Sequence, residues 1–219
     1  MSRESNSHNS VQHIVRTLEV DIVLGRLYPR ERLVEEQLAK RFETSRHVVR
    51  QALLELEIAG LVLREANKGS TICEYGAEEV RQLYQMREIV EKQAAMLIKL
   101  PAAPESIELL AGICEEHAAA IEDSDMLRVV AANKQFHQML YRMCGNNFLA
   151  DVIDEMAKKA NLVRFTSSTD LALLKQARDE HYQVLEALKG NDNSVLADIC
   201  VKHMQPSRQM YLEKRGHLS

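Results

Sequence analysis

The sequence predicts a mainly α-helical protein in two parts: a segment of short elements, then an antiparallel bundle of six helices. Three observations predict it. Gly 8 and Pro 4 are few for 219 residues, and aromatics make up 5% with no Trp, whereas all-β chains need many turn residues and favour aromatic and β-branched positions. Apolar residues recur at helical spacing along most of the chain. One stretch, residues 61–73, reads instead as two short strands around a turn. A hydrophobic content of 46% against 27% charged residues supports a real core.

Residues 1–10 are polar, have no apolar run, and read as a disordered tail and not a secretion signal. Over residues 11–75 the elements are short. Val11, Ile14, Val15, Leu18 and Ile22 mark a first helix, which Gly25 closes. Residues 27–33 read as a turn-like connection. A short helix from Glu35 to Phe42 turns Leu38 and Ala39 inward. Thr44 and Ser45 supply an N-cap signal, and the helix after them runs to Ala59, burying Val48, Val49, Ala52, Leu53 and Leu56. Gly60 is its C′ residue. Leu61–Leu63 and Ser70–Cys73 then pair across a hairpin whose tip is Asn-Lys-Gly.

Residues 78–215 are read as one helical domain. The predicted helices are Glu78–Lys99, Glu105–Glu122, Asp125–Cys144, Phe148–Arg164, Leu171–Lys189 and Val195–Arg215. Short breaks such as 100–104 and 190–194 separate them, which implies an antiparallel bundle.

Charge and cysteines narrow the function. The net charge is −4, which argues against a blanket nucleic-acid binder. Residues 1–75 hold 11 basic and 11 acidic side chains, so the back of the chain carries all the excess negative charge. No apolar run approaches the roughly 20 residues that span a bilayer. Four scattered cysteines without a Cys-x-x-Cys pair read as reduced thiols in a cytoplasmic protein.

Helix, short helix, turn, helix and hairpin is the element order of a winged helix-turn-helix. Arg46 and Arg50 lie four apart and share a helix face, with His47 beside them. A helix in the major groove presents its N-terminal side chains to base edges, and an arginine fork matches guanine O6 and N7. Thr44, Ser45 and the helix N-terminus suit phosphate. Arg64 flanks as a backbone contact, and Lys68 with Gly69 forms a wing tip reaching towards the minor groove. The bland alternative is a solvated face, with the two arginines paired to Glu43 or Glu55.

These residues carry a resemblance. Ile22-Val-Leu-Gly25, Glu31-Arg-Leu33, Glu36-Gln-Leu-Ala39, Ser45-Arg46, Val49-Arg-Gln-Ala-Leu53 and Gly60-Leu61 resemble the N-terminal domain of the GntR family of bacterial regulators. The resemblance implies a DNA-binding transcriptional regulator and not an enzyme. It departs from the family at His47-Val48, where Thr-Pro is common, so His47 is expected to alter operator preference.

Histidines mark the bundle. Asn133 and His137 are four apart on its third helix, with His181 on the fifth and His203 on the sixth. His181 lies nine residues before Gly190 and His203 thirteen after it, about 13 and 20 Å along the helix axes at 1.5 Å per residue, so the two can sit at similar depth. Imidazoles converging in a bundle interior suit a divalent metal such as Zn, Ni or Mn. The alternative is a set of unrelated surface or core histidines, and His117 is counted among those without evident purpose. A metal-dependent enzyme would also need a general acid or base beside the metal-bound water, and no His-Glu-x-x-His pattern is present.

Leu83-Tyr-Gln-Met-Arg87, Asn133-Lys-Gln-Phe-His137, Glu180-His181 and His203-Met204 resemble the FCD effector domain of the FadR-like branch of the same family. The resemblance implies that all three histidines bind metal, together with an Asp whose place Asn133 takes here. An amide oxygen can ligate but brings no charge, so weaker metal binding is expected, and a metal-free acyl or carboxylate sensor stays open. The resemblance further implies a homodimer on a palindromic double-stranded DNA operator, and repression is the expected action. A small organic-acid effector is expected to pair with Arg87 or Arg164.

Overall fold

The computed structural model describes residues 2–65, 69–164 and 166–216, and the side chains of 11–64, 69–164 and 166–214. It divides into two compact units, Met1–Tyr75 with Lys158–Phe165, and Gly76–Ala157 with Thr166–Ser219.

In the first unit α1 (Ser2–Val23), α2 (Glu35–Arg41) and α3 (Arg46–Ile58) precede a hairpin of β2 (Val62–Glu65) and β3 (Gly69–Ile72). The apolar spacing of α1 explains its buried face: Ile14, Leu18 and Ile22 are fully enclosed, against Val49, Leu53 and Leu56 of α3. Two features differ from the sequence reading. The helix starts at Ser2, so residues 2–10 are helical and not a disordered tail. Once the packed part of a helix exists, each added residue gains a backbone bond without a new nucleation cost. The connection before α2 also holds a strand, β1 (Arg32–Leu33), which pairs with β3 to give the antiparallel order β1-β3-β2. β1 is too short for alternation to reveal it.

Gly60 ends α3 in the left-handed region, with φ of 73°, which favours glycine at C′. A Cβ there would meet Lys159 at 3.3 Å. Leu162 is buried in the same apolar cluster as Leu53 and Leu56. The end of the helix that contains it therefore groups with the first unit, although the sequence reading placed all of 78–215 in one domain.

The second unit is helical. α4 (Ala77–Leu97) packs along α9 (Asn193–Gly216), while α5 (Pro104–Glu122) packs on α6 (Met126–Arg142) and α8 (Leu171–Lys189). α7 (Asn147–Arg164) begins in this unit. Boundaries follow local chemistry. Asp125 accepts from Arg128 N at the start of α6, and Asp170 accepts from Ala172 N and Leu173 N at the start of α8, satisfying helix donors that have no intrahelical partner. Asn193 Nδ2 donates to Ala95 O and Ile98 O, tying the start of α9 to the last turn of α4. The core joins residues such as Ala94, Leu110, Phe136, Leu140, Leu188 and Leu196.

Cys114, Cys144 and Cys200 form no disulfide. Burial pushes the Cys114 and Cys200 thiols up to about 12, so both stay protonated and unreactive near neutral pH. No described helix is long and apolar enough to cross a membrane.

Candidate functional site

The first site is the exposed N-terminal face of α3. Ser45 caps the helix by accepting from Val48 N at 3.4 Å, so the chain enters α3 in extended backbone. Ser45, Arg46, His47 and Arg50 are exposed, and Thr44 is half-buried. Val48 and Val49 turn the opposite way into the core, which fixes the rotation of the helix. Arg46 pairs with Glu36 at 2.7 Å and Arg50 with Glu35 at 2.8 Å. The acidic partners thus come from α2 and not from Glu43 or Glu55. Exposed pairs of this kind contribute about 0–1 kcal/mol, so a phosphate or guanine edge can displace them. Arg64 on β2 is exposed and 3.5 Å from Glu57. Gly69 opens β3 at φ 90°. Lys68 lies outside the described residues.

The second site is inside the bundle. His137 of α6, His181 of α8 and His203 of α9 each offer one ligand atom, and these lie within 4.8 Å of one another. Residues four apart share a helix face, so Asn133 stands one turn before His137; it is half-buried. His137 Nε2 is 3.1 Å from His203 Nε2. The His203 ring is oriented from behind: its Nδ1 lies 2.7 Å from Glu180 Oε2. A carboxylate only accepts, so Nδ1 carries the proton and Nε2 presents its lone pair to the cluster. Gln176 donates to the other Glu180 oxygen at 2.9 Å. Burial pushes the Glu180 carboxyl up, but the bonds from His203 and Gln176 outweigh it and hold the group below its usual range.

His181 is almost wholly buried, its ring stacked on Phe136 at 4.0 Å between centroids. Neither of its ring nitrogens has a hydrogen-bond partner. Burial, and then the neighbouring His203 and His117, drive its pKa well below the ordinary histidine value. The ring is therefore neutral near pH 7, the form that ligates metal.

Arg87 lies within the same unit but not on its surface. Its Nε donates to Glu91 at 2.8 Å, and both side chains are buried. Tyr141 donates to the other Glu91 oxygen at 2.7 Å, and the Tyr141 ring stacks near His137, 6.2 Å between centroids. The guanidinium also sits over the Tyr84 ring at 4.9 Å. Burial opposes the charge, but Glu91 outweighs it and raises the Arg87 pKa. Arg164 falls elsewhere: it donates to Asn161 at 3.3 Å in the part of α7 that belongs to the first unit.

Two residues of the cluster escape the sequence reading. Glu180 is adjacent to His181 in the chain and about 100° round the helix from it; that rotation aims it at His203. His117 is buried with a ring centroid 5.0 Å from His181. A signal for its burial was present, since it continues the stripe of Leu110, Ile113, Cys114 and Ile121 on α5.

Known proteins agree with both units. The chain is similar to YdhC of Bacillus subtilis (strain 168), an HTH-type transcriptional regulator, at 27% identity over 183 residues covering 82% of this chain and 80% of that protein. It is 24% identical to the HTH-type transcriptional repressor RspR of Escherichia coli (strain K12), across 89% of this chain and 85% of that one. The solved structure of E. coli McbR/YncC superposes with a TM-score of 0.81 at 21% identity, covering 94% of this chain and 98% of the other. Residues 10–72 match the bacterial regulatory proteins of the gntR family and residues 82–206 the FCD domain, so the chain belongs to the gntR family, as a DNA-binding transcriptional regulator and not an enzyme.

Proposed function

We propose that this regulator is a homodimeric repressor that releases a palindromic operator when its helical unit binds a small organic acid through a divalent metal. One observation carries the reading: three imidazoles from three helices converge with ligand atoms within 4.8 Å. The residues fit a metal. His181 has both ring nitrogens buried and unpartnered, and an unsatisfied buried polar atom costs about 1–3 kcal/mol, which a bound ion relieves. Three imidazole donors suit Zn, Ni or Mn, and His203 already has the carboxylate support that metal-bound histidines use. Asn133 stands where an oxygen ligand is expected. The ion, when bound, supplies a positive centre for a carboxylate.

The chain does the rest. Glu180 holds the His203 tautomer, and Phe136 holds the His181 ring. Arg87, with five N–H donors of which Glu91 takes one, is the proposed second anchor of the acid. In a two-fold dimer α3 is presented twice, which matches a palindromic operator. Acid binding favours one arrangement of the dimer, and the coupling to DNA is reciprocal, typically about 1–3 kcal/mol.

A second reading has a metal-free pocket for an acyl or carboxylate ligand. The 3.1 Å approach of His137 Nε2 to His203 Nε2 favours it, since two neutral imidazoles at that distance share a proton without an ion.

The experiment is elemental mass spectrometry on untagged protein purified without chelators, followed by operator release with a panel of di- and hydroxy-carboxylates. About one metal per chain, with release that a chelator abolishes, is expected. No metal after addition of Zn, Ni or Mn overturns the metal reading in favour of the pocket.

A further inference from the structure

We propose that His117 is a positioning residue of the histidine cluster: when a metal is bound, its Nδ1, unpartnered in this structure, accepts the proton of the His181 ring nitrogen that does not face the metal. This rests on the metal reading above and names the element that reading lacks. A metal-bound imidazole uses one nitrogen for the ion and donates its other N–H to an outer partner, which fixes tautomer and ring angle. His203 has such a partner in Glu180, 2.7 Å from its Nδ1. Neither ring nitrogen of His181 has any hydrogen-bond partner in this structure, His117 included.

Three observations single out His117. It is as deeply buried as His181, each at 1% exposure. Its own Nδ1 is likewise buried without a hydrogen-bond partner. The two rings are adjacent, with centroids 5.0 Å apart and planes inclined at 45°. Two buried orphan groups side by side each carry a desolvation penalty, and a donor–acceptor pairing relieves both together. Phe136 stacks on the face of the His181 ring at 23° between planes, so the ring meets polar partners through its edge. His117 comes from α5, so the pairing ties a fourth helix to the cluster built from α6, α8 and α9.

The test measures Zn affinity by competition with a chromogenic chelator, using the full-length wild type, His117→Phe, His117→Asn and His137→Ala. Phe fills the space of the ring without an acceptor. Asn returns an acceptor near the position of Nδ1. Outer partners of metal-bound histidines are worth about 10–100-fold in affinity, so His117→Phe is expected to lose that much and His117→Asn to recover part of it. The Co-loaded visible spectrum is expected to shift in His117→Phe and return towards wild type in His117→Asn. Equal affinity of wild type and His117→Phe, with His137→Ala deficient, overturns the role of His117 alone. Equal weakening by Phe and Asn with an unshifted spectrum also overturns it, since that is loss of packing only. A wild type that binds no Zn overturns the metal reading, and this proposal with it. If His117→Phe does not fold, His117→Asn and His117→Ala decide: affinity and spectrum of His117→Asn must lie between those of wild type and His137→Ala, and wild-type affinity in His117→Ala overturns the proposal.

Discussion

Glu180 and His203 form a carboxylate–imidazole pair in the histidine cluster, Oε2 to Nδ1 at 2.7 Å, and it sets which nitrogen of His203 faces His137. The pair joins α8 to α9 across the turn at Gly190. Because Glu180 also accepts from Gln176, its direction is held from its own helix. His203 thus enters the site already oriented, at no ordering cost when a ligand arrives.

Replacing Glu180 by Gln removes the charge and retains the shape. Zn affinity should fall about 10–100-fold, with the helical content unchanged. Isothermal titration with Zn checks it, and wild-type affinity would show that the pair is structural only.

Asn133→Asp adds a carboxylate one turn before His137. It should tighten metal binding, since a charged oxygen ligand replaces a neutral amide. Competitive chelator titration reads the change. Weaker binding would mean that position 133 does not ligate.

On the exposed face of α3 proposed to read DNA, Arg50→Ala should cost about 1–3 kcal/mol of specific operator affinity and Arg46→Ala a similar amount. The fold should survive, because both side chains are exposed. Glu35→Gln releases Arg50 from its 2.8 Å pair and removes a negative charge near phosphate, so affinity should hold or rise. Fluorescence anisotropy against operator and scrambled DNA separates specific loss from general loss.

Acid should destabilise the helical unit in the metal-free protein. Burial lowers His117 to about 4 and His181 well below its ordinary value, so both stay neutral in the fold. Unfolded histidines titrate near 6.5. Between those values the unfolded chain binds more protons, so stability rises with pH and is lost as pH falls through the window. The loss should be about 1–2 kcal/mol per histidine from pH 7 to pH 5. Urea unfolding in the presence of a chelator at those two pH values measures it, and His117→Phe should show a shallower slope.

Much of this was legible along the chain. The Ser45 cap, the apolar side of α3 and the exposure of Arg46 and Arg50 are local consequences of helical period and capping, so spacing alone placed them. The bounds Leu171–Lys189 for α8 follow from the same rules. Period also shows that His117 and His181 occupy buried stripes. It cannot show which stripes meet, because that depends on how α5 and α8 dock, and contacts between helices distant in the chain leave no local trace. The neighbours of His181, the turn of Glu180 towards His203 and the burial of Leu162 among first-unit residues are therefore products of packing. The amino-acid sequence by itself determined most of the helices, the exposed Arg46 and Arg50 face of α3 and the family. The docking of those helices, which buries imidazoles beyond reach of water, decided how the histidines meet and which of them depend on one another.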